Sequence, residues 1–335
     1  MVGIDIGSKS IKVIELEKSG NKWNLKTSGA VGFKGVSPDK ITDEKELQSL
    51  GEILRKTVNQ ISLTSKDVNI SLPESIVFTR LIKFPMLTDE EISSAVKWES
   101  EQYIPIPVSE AVIQYMVLGK DEIKSQTSVL LVAAPKNSVE KFVKVIRYAG
   151  LIAVSAETEL TAMARSLAPD KGISFLLDLG SSATDMSIVK DGKIVFTRSI
   201  PVAGEAFTRA VAQGLNITLQ QAEEYKKTYG LSSTQLEGKV RIALEPVFKM
   251  VTEEIKKAIH FYQTEEKGEI PNALIVTGGA SSMPDVIPYL TETTGIETIM
   301  GNAFGKLSLD VETAKSLSGY SSIYATAVGL AMREE

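Results

Sequence analysis

The sequence predicts a duplicated α/β fold, two lobes around a cleft, with an α+β subdomain inserted into the first lobe. Three observations carry this. VGIDIGSKSIKVIEL near the N-terminus and FLLDLGSSATDMSIV midway follow one plan: an apolar run, Asp-x-Gly with small hydroxyl residues, then a second apolar run. Helical patterns follow each copy, so each half starts with a β-rich core. The block 68–134 mixes strands and a strongly capped helix and repeats neither half.

Composition bounds the chemistry. The chain has 335 residues, long enough for two cores, with 43% hydrophobic and 24% charged residues. A net charge of -5 and the lack of a basic, aromatic-interleaved cluster argue against nucleic acid and anionic lipid as partners. Without Cys there is no disulfide, thiolate nucleophile or Cys-ligated zinc, and a single His, His260, makes a Ser-His-Asp triad a poor candidate. No apolar run reaches the roughly 18 residues of a membrane span, and the chain opens directly on a strand rather than a signal peptide. The expectation is a cytoplasmic protein.

The elements follow from periodicity and caps. Strands are expected at 2–7, 12–17 and 23–33, then a helix at 43–60 with Leu47, Leu50, Ile53, Leu54 and Val58 on one face. DVNISLP and SIVFTRLIKF read as strands. Thr88 and Glu91 form a capping box, Leu87 and Ile92 a hydrophobic staple, and Pro105 and Pro107 end that helix. Strands near 111–118 and 127–133 complete the insert, and Asn137 is expected to cap a helix stopped by Gly150. The second half gives ISFLLDLG, TDMSIVKDG and KIVFTRSI as strands, with Asp191-Gly192 as a two-residue turn. Helices are expected near 204–214, 218–229 and 238–265, the last with Pro246 as a kink, then the buried strand ALIVTGGASS and a final helix over 321–334. The lobes are thus 1–165 and 166–335, the second carrying a helical subdomain at 204–270.

The repeated turns suit an anion. Gly7 and Gly180 let the backbone approach phosphate oxygens, while Ser8, Ser10, Ser181, Ser182 and Thr184 supply donors and Lys9 a point charge. Asp5 and Asp178 end their strands at the same place, where a carboxylate holds Mg²⁺ through water. A single Asp-x-Gly turn is more often a plain hairpin; the domain-scale repeat reverses that weighting, and no Walker A pattern competes. Gly278-Gly279 follow a buried strand, where a flat base can lie on bare backbone. Glu223 and Lys226, three apart on a helix, either reach ribose hydroxyls or form a surface ion pair.

In this order the pieces resemble the actin, heat-shock-chaperone and sugar-kinase ATPase superfamily, with its ribonuclease H-like fold. GIDIGSKSIKVIEL is similar to its first phosphate motif, LLDLGSSATDMSIV to its second, VTGGASS (through Ala280) to its adenosine motif and AEEYKK to its ribose-contacting Glu-x-x-Lys. The resemblance implies ATP and Mg²⁺ as cofactors. AETELTAMARSL takes the place of its first connecting helix, making Glu157 and Glu159 the acids near an attacking water; the family more often has Asp where this chain has Glu157.

WESEQYIPIPVSEAVIQY, ISLPESIVFTRLIKFP and YATAVGLAMR narrow the resemblance to the PilM family of type IV pilus assembly. That implies an ATP-binding cytoplasmic scaffold, at most a slow ATPase. Its partner would be the N-terminal cytoplasmic tail of a PilN-like membrane protein, held by the insert, and its membrane contact would come through that partner. Other pilus assembly proteins are further partners of this kind. Two alternatives remain: a small-molecule kinase of the same superfamily, and a filament-forming cell-division protein resembling FtsA. Trp98, about 120° from the Ile92/Val96/Tyr103 stripe, either packs on its own subdomain or is an interface anchor of the insert.

Overall fold

The computed structural model of the chain describes residues 1–122 and 125–334. Residues 123 and 124 of the expected insert, and Glu335 of the expected second lobe, lie outside the described residues. The chain forms two compact units: Met1–Glu15 with Thr27–Glu159, and Leu16–Lys26 with Leu160 onward. The division between halves falls after Glu159 rather than after 165, and the tip of the first long hairpin packs with the second unit.

The first unit is built on a sheet whose strands are β1 (Val2–Ile6), β2 (Ser10–Ser19), β3 (Lys22–Gly32), β4 (Asp67–Leu72) and β8 (Ile152–Thr158), in the order β3-β2-β1-β4-β8. β1 is buried along its whole length, as a central strand between two neighbours should be. It runs antiparallel to β2 and parallel to β4, which runs parallel to β8. Helices α1 (Glu44–Gln60) and α3 (Lys136–Tyr148) place Leu47, Leu54, Phe142 and Ile146 in one core with Ile4 and Ile70. Gly51 makes this close packing possible, since a Cβ there would stand 2.3 Å from Tyr148 Cβ.

Two expectations change in this unit. Asn137 does not cap α3: strand β7 (Gln126–Pro135) leads straight into the helix, and Pro135 takes the cap position without a side-chain bond. The stretch before α4 (Glu159–Leu167) is strand β8, not the start of a longer helix, so Glu157 lies on a strand.

The insert comprises β5 (Phe78–Pro85), α2 (Asp89–Tyr103), β6 (Ala111–Asp121) and β7, with the antiparallel order β5-β7-β6. It starts after β4, not at 68, because β4 is hydrogen-bonded into the main sheet between β1 and β8. The capping box of Thr88 and Glu91 is formed, and Ile92 and Val96 enter a separate small core with Ile82, Phe84, Val129 and Leu131. Trp98, on the opposite side of the helix, is 71% exposed.

The second unit repeats the first sheet. Strands β9 (Ile173–Leu179), β10 (Thr184–Lys190), β11 (Lys193–Ile200), β12 (Ala273–Thr277) and β13 (Thr298–Met300) lie in the order β11-β10-β9-β12-β13. β9 is antiparallel to β10 and parallel to β12, which is parallel to β13, matching β1, β2, β4 and β8. Asp191 (φ 50°) and Gly192 (φ 75°) make the left-handed two-residue turn that the sequence required. Helices α5 (Gly204–Leu215), α6 (Leu219–Tyr229) and α7 (Lys239–Thr264) pack on one face, with Phe207 stacked on Phe248 at 4.5 Å. α7 continues through Pro246.

α8 (Val286–Thr294), β14 (Leu307–Ser308), α9 (Val311–Leu317) and α10 (Ala325–Ala331) complete the unit, β14 pairing with Trp23 and Asn24 in the hairpin tip. The final helix is shorter than expected. Ser318–Ile323 form a tight 3₁₀ turn, because the Ser322 carbonyl accepts from Gly278 N and Thr277 Oγ1 and Ser321 Oγ donates to Gly301 O.

Candidate functional site

The two Asp-x-Gly turns have one geometry. Gly7 N donates to Ser10 O at 3.0 Å, and Gly180 N donates to Ala183 O at 3.2 Å. Gly180 has no space for a side chain, since a Cβ would meet Ala183 O at 2.7 Å. Ser8, Ser10, Ser181 and Ser182 are half-buried at the turns and Lys9 is exposed. Thr184 differs: it is buried, and its hydroxyl donates to Val202 O at 2.6 Å, which anchors the strand after the turn.

Cross-strand register sets the charge of each hairpin. Asp5 lies opposite Lys12, and Asp178 opposite Asp185, the same offset in both copies. Lys12 Nζ is 2.9 Å from Asp5 Oδ2, while Ser71 Oγ donates to Asp5 Oδ1 at 3.1 Å, so both oxygens of this buried carboxylate are engaged. In the second hairpin, oxygens of Asp178 and Asp185 lie within 4.8 Å of each other. Two converging carboxylates are hard oxygen donors, the set that suits Mg²⁺. The donor chemistry therefore fits the cation at the second hairpin, whereas Asp5 is neutralised by Lys12. Sequence reading missed Lys12 and Asp185, although the signal was present: a four-residue turn places residues seven apart opposite each other.

The glycine turn after β12 packs on the second hairpin. Gly278 (φ +88°) sits against Asp178, where a Cβ would stand 2.0 Å from Oδ1. Ala280 N donates to Leu179 O at 3.0 Å, and its side chain is buried. Gly279 is exposed, with nothing within 4 Å of where a Cβ would be. It is the bare surface of this turn.

Glu223 and Lys226 form neither a surface pair nor an outward-reaching one. Lys226 is buried, and its ammonium donates to Gly204 O (3.0 Å), Thr208 Oγ1 (2.9 Å) and Glu223 Oε2 (2.6 Å). Glu223 also meets Lys227 at 3.2 Å on the outer side. Burial opposes ionisation of Glu223, but the hydrogen bonds from Lys226 and Thr208 outweigh it and hold its pKa at about 2.

Glu157, next to last in β8, is the register partner of Ser71, the residue that donates to Asp5. Glu159 opens α4 and groups with the first unit. Within the first unit the structure thus gathers Asp5, the Gly7–Ser10 turn and Glu157. Within the second, Asp178, the Gly180–Ser182 turn, Gly278–Ala280 and the Glu223/Lys226 pair converge.

The model of the family described as type IV pilus assembly protein PilM matches residues 3–335. Among solved structures, a chain of the PilM-PilN type IV pilus biogenesis complex is similar with 25% identity and a TM-score of 0.85, covering 99% of this chain and 97% of that one. MreB5 of Spiroplasma citri bound to ADP shares the fold at 14% identity and a TM-score of 0.55, covering 98% and 94%. Cell division protein FtsA of Enterococcus hirae is 23% identical over 337 residues, 88% of this chain and 76% of that protein. The likenesses identify the α/β architecture as that of the actin-like ATPases.

Proposed function

This chain belongs to the family of the type IV pilus assembly protein PilM, and on that premise we propose that it is an ATP-binding scaffold of a pilus assembly machine. Its partner is the N-terminal cytoplasmic tail of a PilN-like inner-membrane protein. The observation that carries this is the likeness, at a TM-score of 0.85 over 99% of the chain, to a protein of the PilM-PilN complex. No described helix is long and apolar enough to cross a membrane. The protein works at the cytoplasmic face and reaches the membrane through that partner.

In this reading the Gly7–Ser10 and Gly180–Ser182 turns present backbone N–H groups and hydroxyls to phosphate oxygens, with Lys9 and Lys12 as cationic groups. Asp178 and Asp185 hold Mg²⁺, which when bound neutralises phosphate charge. Exposed Gly279 offers the adenine its resting surface, and Glu157 and Glu159 are the acids available to orient water. With no His base among them, turnover is slow at most.

Fluorescence anisotropy with a labelled peptide from the N-terminal tail of the PilN-like protein tests the scaffold. Saturable binding that tightens with ATP and Mg²⁺ supports it; absence of binding with and without nucleotide removes it. The FtsA similarity favours a second reading, a filament-forming relative. Sedimenting polymers of the ATP-loaded chain, formed without partner, would favour that one.

A further inference from the structure

The second turn is held from behind by α5, and a buried ammonium is bonded to the first carbonyl of α5. Gly204 N, at the head of α5, donates to Gly180 O at 3.0 Å, and Glu205 N donates to Ser181 O at 2.8 Å. A helix's first N–H groups need acceptors from outside the helix, and here the turn supplies them. Two carbonyls of the turn are thereby drawn toward α5. The approach leaves no slack: a Cβ on Gly204 would lie 3.1 Å from Gly180 O.

The carbonyl of the same Gly204 accepts from Lys226 Nζ at 3.0 Å, while Thr208 Oγ1 and Glu223 Oε2 take its other donors. An ammonium has three N–H donors, so these contacts use all of its capacity. A lysine 5% exposed and fully engaged has no donor left for a sugar hydroxyl.

We infer that Lys226 is a positioning residue for the second phosphate turn, acting through Gly204, and not a nucleoside contact. The inference rests on the nucleotide reading above and adds to it a route between the two ends of the ligand. Glu223 shares Oε2 between Lys226 and Thr208 and turns Oε1 toward Lys227 on its half-exposed side, so Oε1 is the oxygen that this reading offers to a ribose hydroxyl. Sugar recognition at Glu223 and phosphate grip at Gly180–Ser182 are thus linked by one chain of hydrogen bonds: Glu223, Lys226, Gly204, Gly180.

The test uses the full chain with Lys226→Met, which keeps length and apolar volume while Glu223 retains Lys227 and Thr208. Thr208→Val, which removes one acceptor of the ammonium together with the hydroxyl that donates toward Gly204 O and Glu223 Oε2, keeps the measurement available should the Met variant not fold. Hydrogen exchange without nucleotide reads the strut directly. Amides of Gly204 and Glu205 should exchange at least about tenfold faster than in wild type, with Leu176 and Val276 unchanged. Calorimetry reads the consequence: ADP with Mg²⁺ should bind about tenfold or more weaker, and adenosine within about twofold of wild type. Equal losses for adenosine and ADP would make Lys226 a nucleoside contact and overturn the inference, as would unchanged exchange at Gly204 and Glu205. If wild type binds neither ligand, the nucleotide reading falls, and the exchange result alone decides whether Lys226 fixes the turn.

Discussion

Gly278 lies so close to Asp178 that a Cβ on the glycine would stand 2.0 Å from the carboxylate Oδ1, whereas its neighbour Gly279 faces open space. The two glycines of one motif therefore have different jobs, and substitution separates them. Gly278→Ala should destabilise the protein by more than about 2 kcal/mol, since it combines a positive φ with backbone overlap. Gly279→Val should stay within about 0.5 kcal/mol of wild-type stability yet lose ATP binding, because the valine occupies the place proposed for adenine. Chemical denaturation beside calorimetry checks both, and retained ATP affinity in the valine variant would remove Gly279 from the site.

The hairpin carboxylates should respond differently to neutralisation. Asp178→Asn or Asp185→Asn should abolish most of the Mg²⁺-dependent part of ATP affinity, because each removes one of two converging hard ligands. Asp5→Asn should act mainly on stability, costing about 1–3 kcal/mol by leaving Lys12 without its carboxylate partner in a mostly buried place. Titrations of ATP with Mg²⁺ and with EDTA, plus denaturation curves, distinguish the two. Equal Mg²⁺ dependence in the Asp178, Asp185 and Asp5 variants would contradict the assignment of the cation to the second hairpin.

Glu223 gives a signed pH dependence. Its folded pKa, about 2, lies below the unfolded value near 4.5, so its contribution is fully present above the unfolded value and fades as pH falls toward 2. The groups facing it are Lys226, Lys227 and Thr208. The stability difference between wild type and Glu223→Gln should shrink steadily from pH 5 to pH 2. A difference that stays constant across that window would show that the carboxylate's ionisation contributes nothing.

The partner prediction concerns the insert. Trp98→Ala should weaken the PilN-like tail by about tenfold or more, the range for an exposed aromatic anchor, and leave ATP affinity unchanged. Removal should span 74–134 rather than 68–134, because β4 belongs to the main sheet. Tail binding that survives both changes would move the partner site off the insert.

Sequence alone exposed what is local. The Asp-x-Gly repeat, the Thr88/Glu91 capping box and the Asp191-Gly192 turn each follow from a short pattern whose geometry has few solutions. β8 escaped because an edge strand alternates exposed Ile152 and Val154 with small residues, and its parallel partner is remote in the chain. The direction of Lys226 was also hidden. Residues three apart on a helix share a side, but only the packing of α5 on α6 decides whether that side faces water or Gly204. The boundary of the insert was illegible for a related reason: β4 and β5 both read as strands, and only the pairing partners show that they belong to different sheets.

The two hairpins are equivalent in register but not in charge. At one matched place the copies carry opposite charge, Lys12 in one and Asp185 in the other, on strands of identical topology. At that position one side chain decides whether the strand-end aspartate meets an ammonium or a second carboxylate. The first hairpin pairs its aspartate with its own lysine; the second brings two carboxylates together, a charge that a bound metal ion would relieve in the proposed reading. In the proposed reading both turns meet the phosphates while Mg²⁺ acts through the second copy alone, so the repeat would separate the response to the metal from the response to the nucleotide.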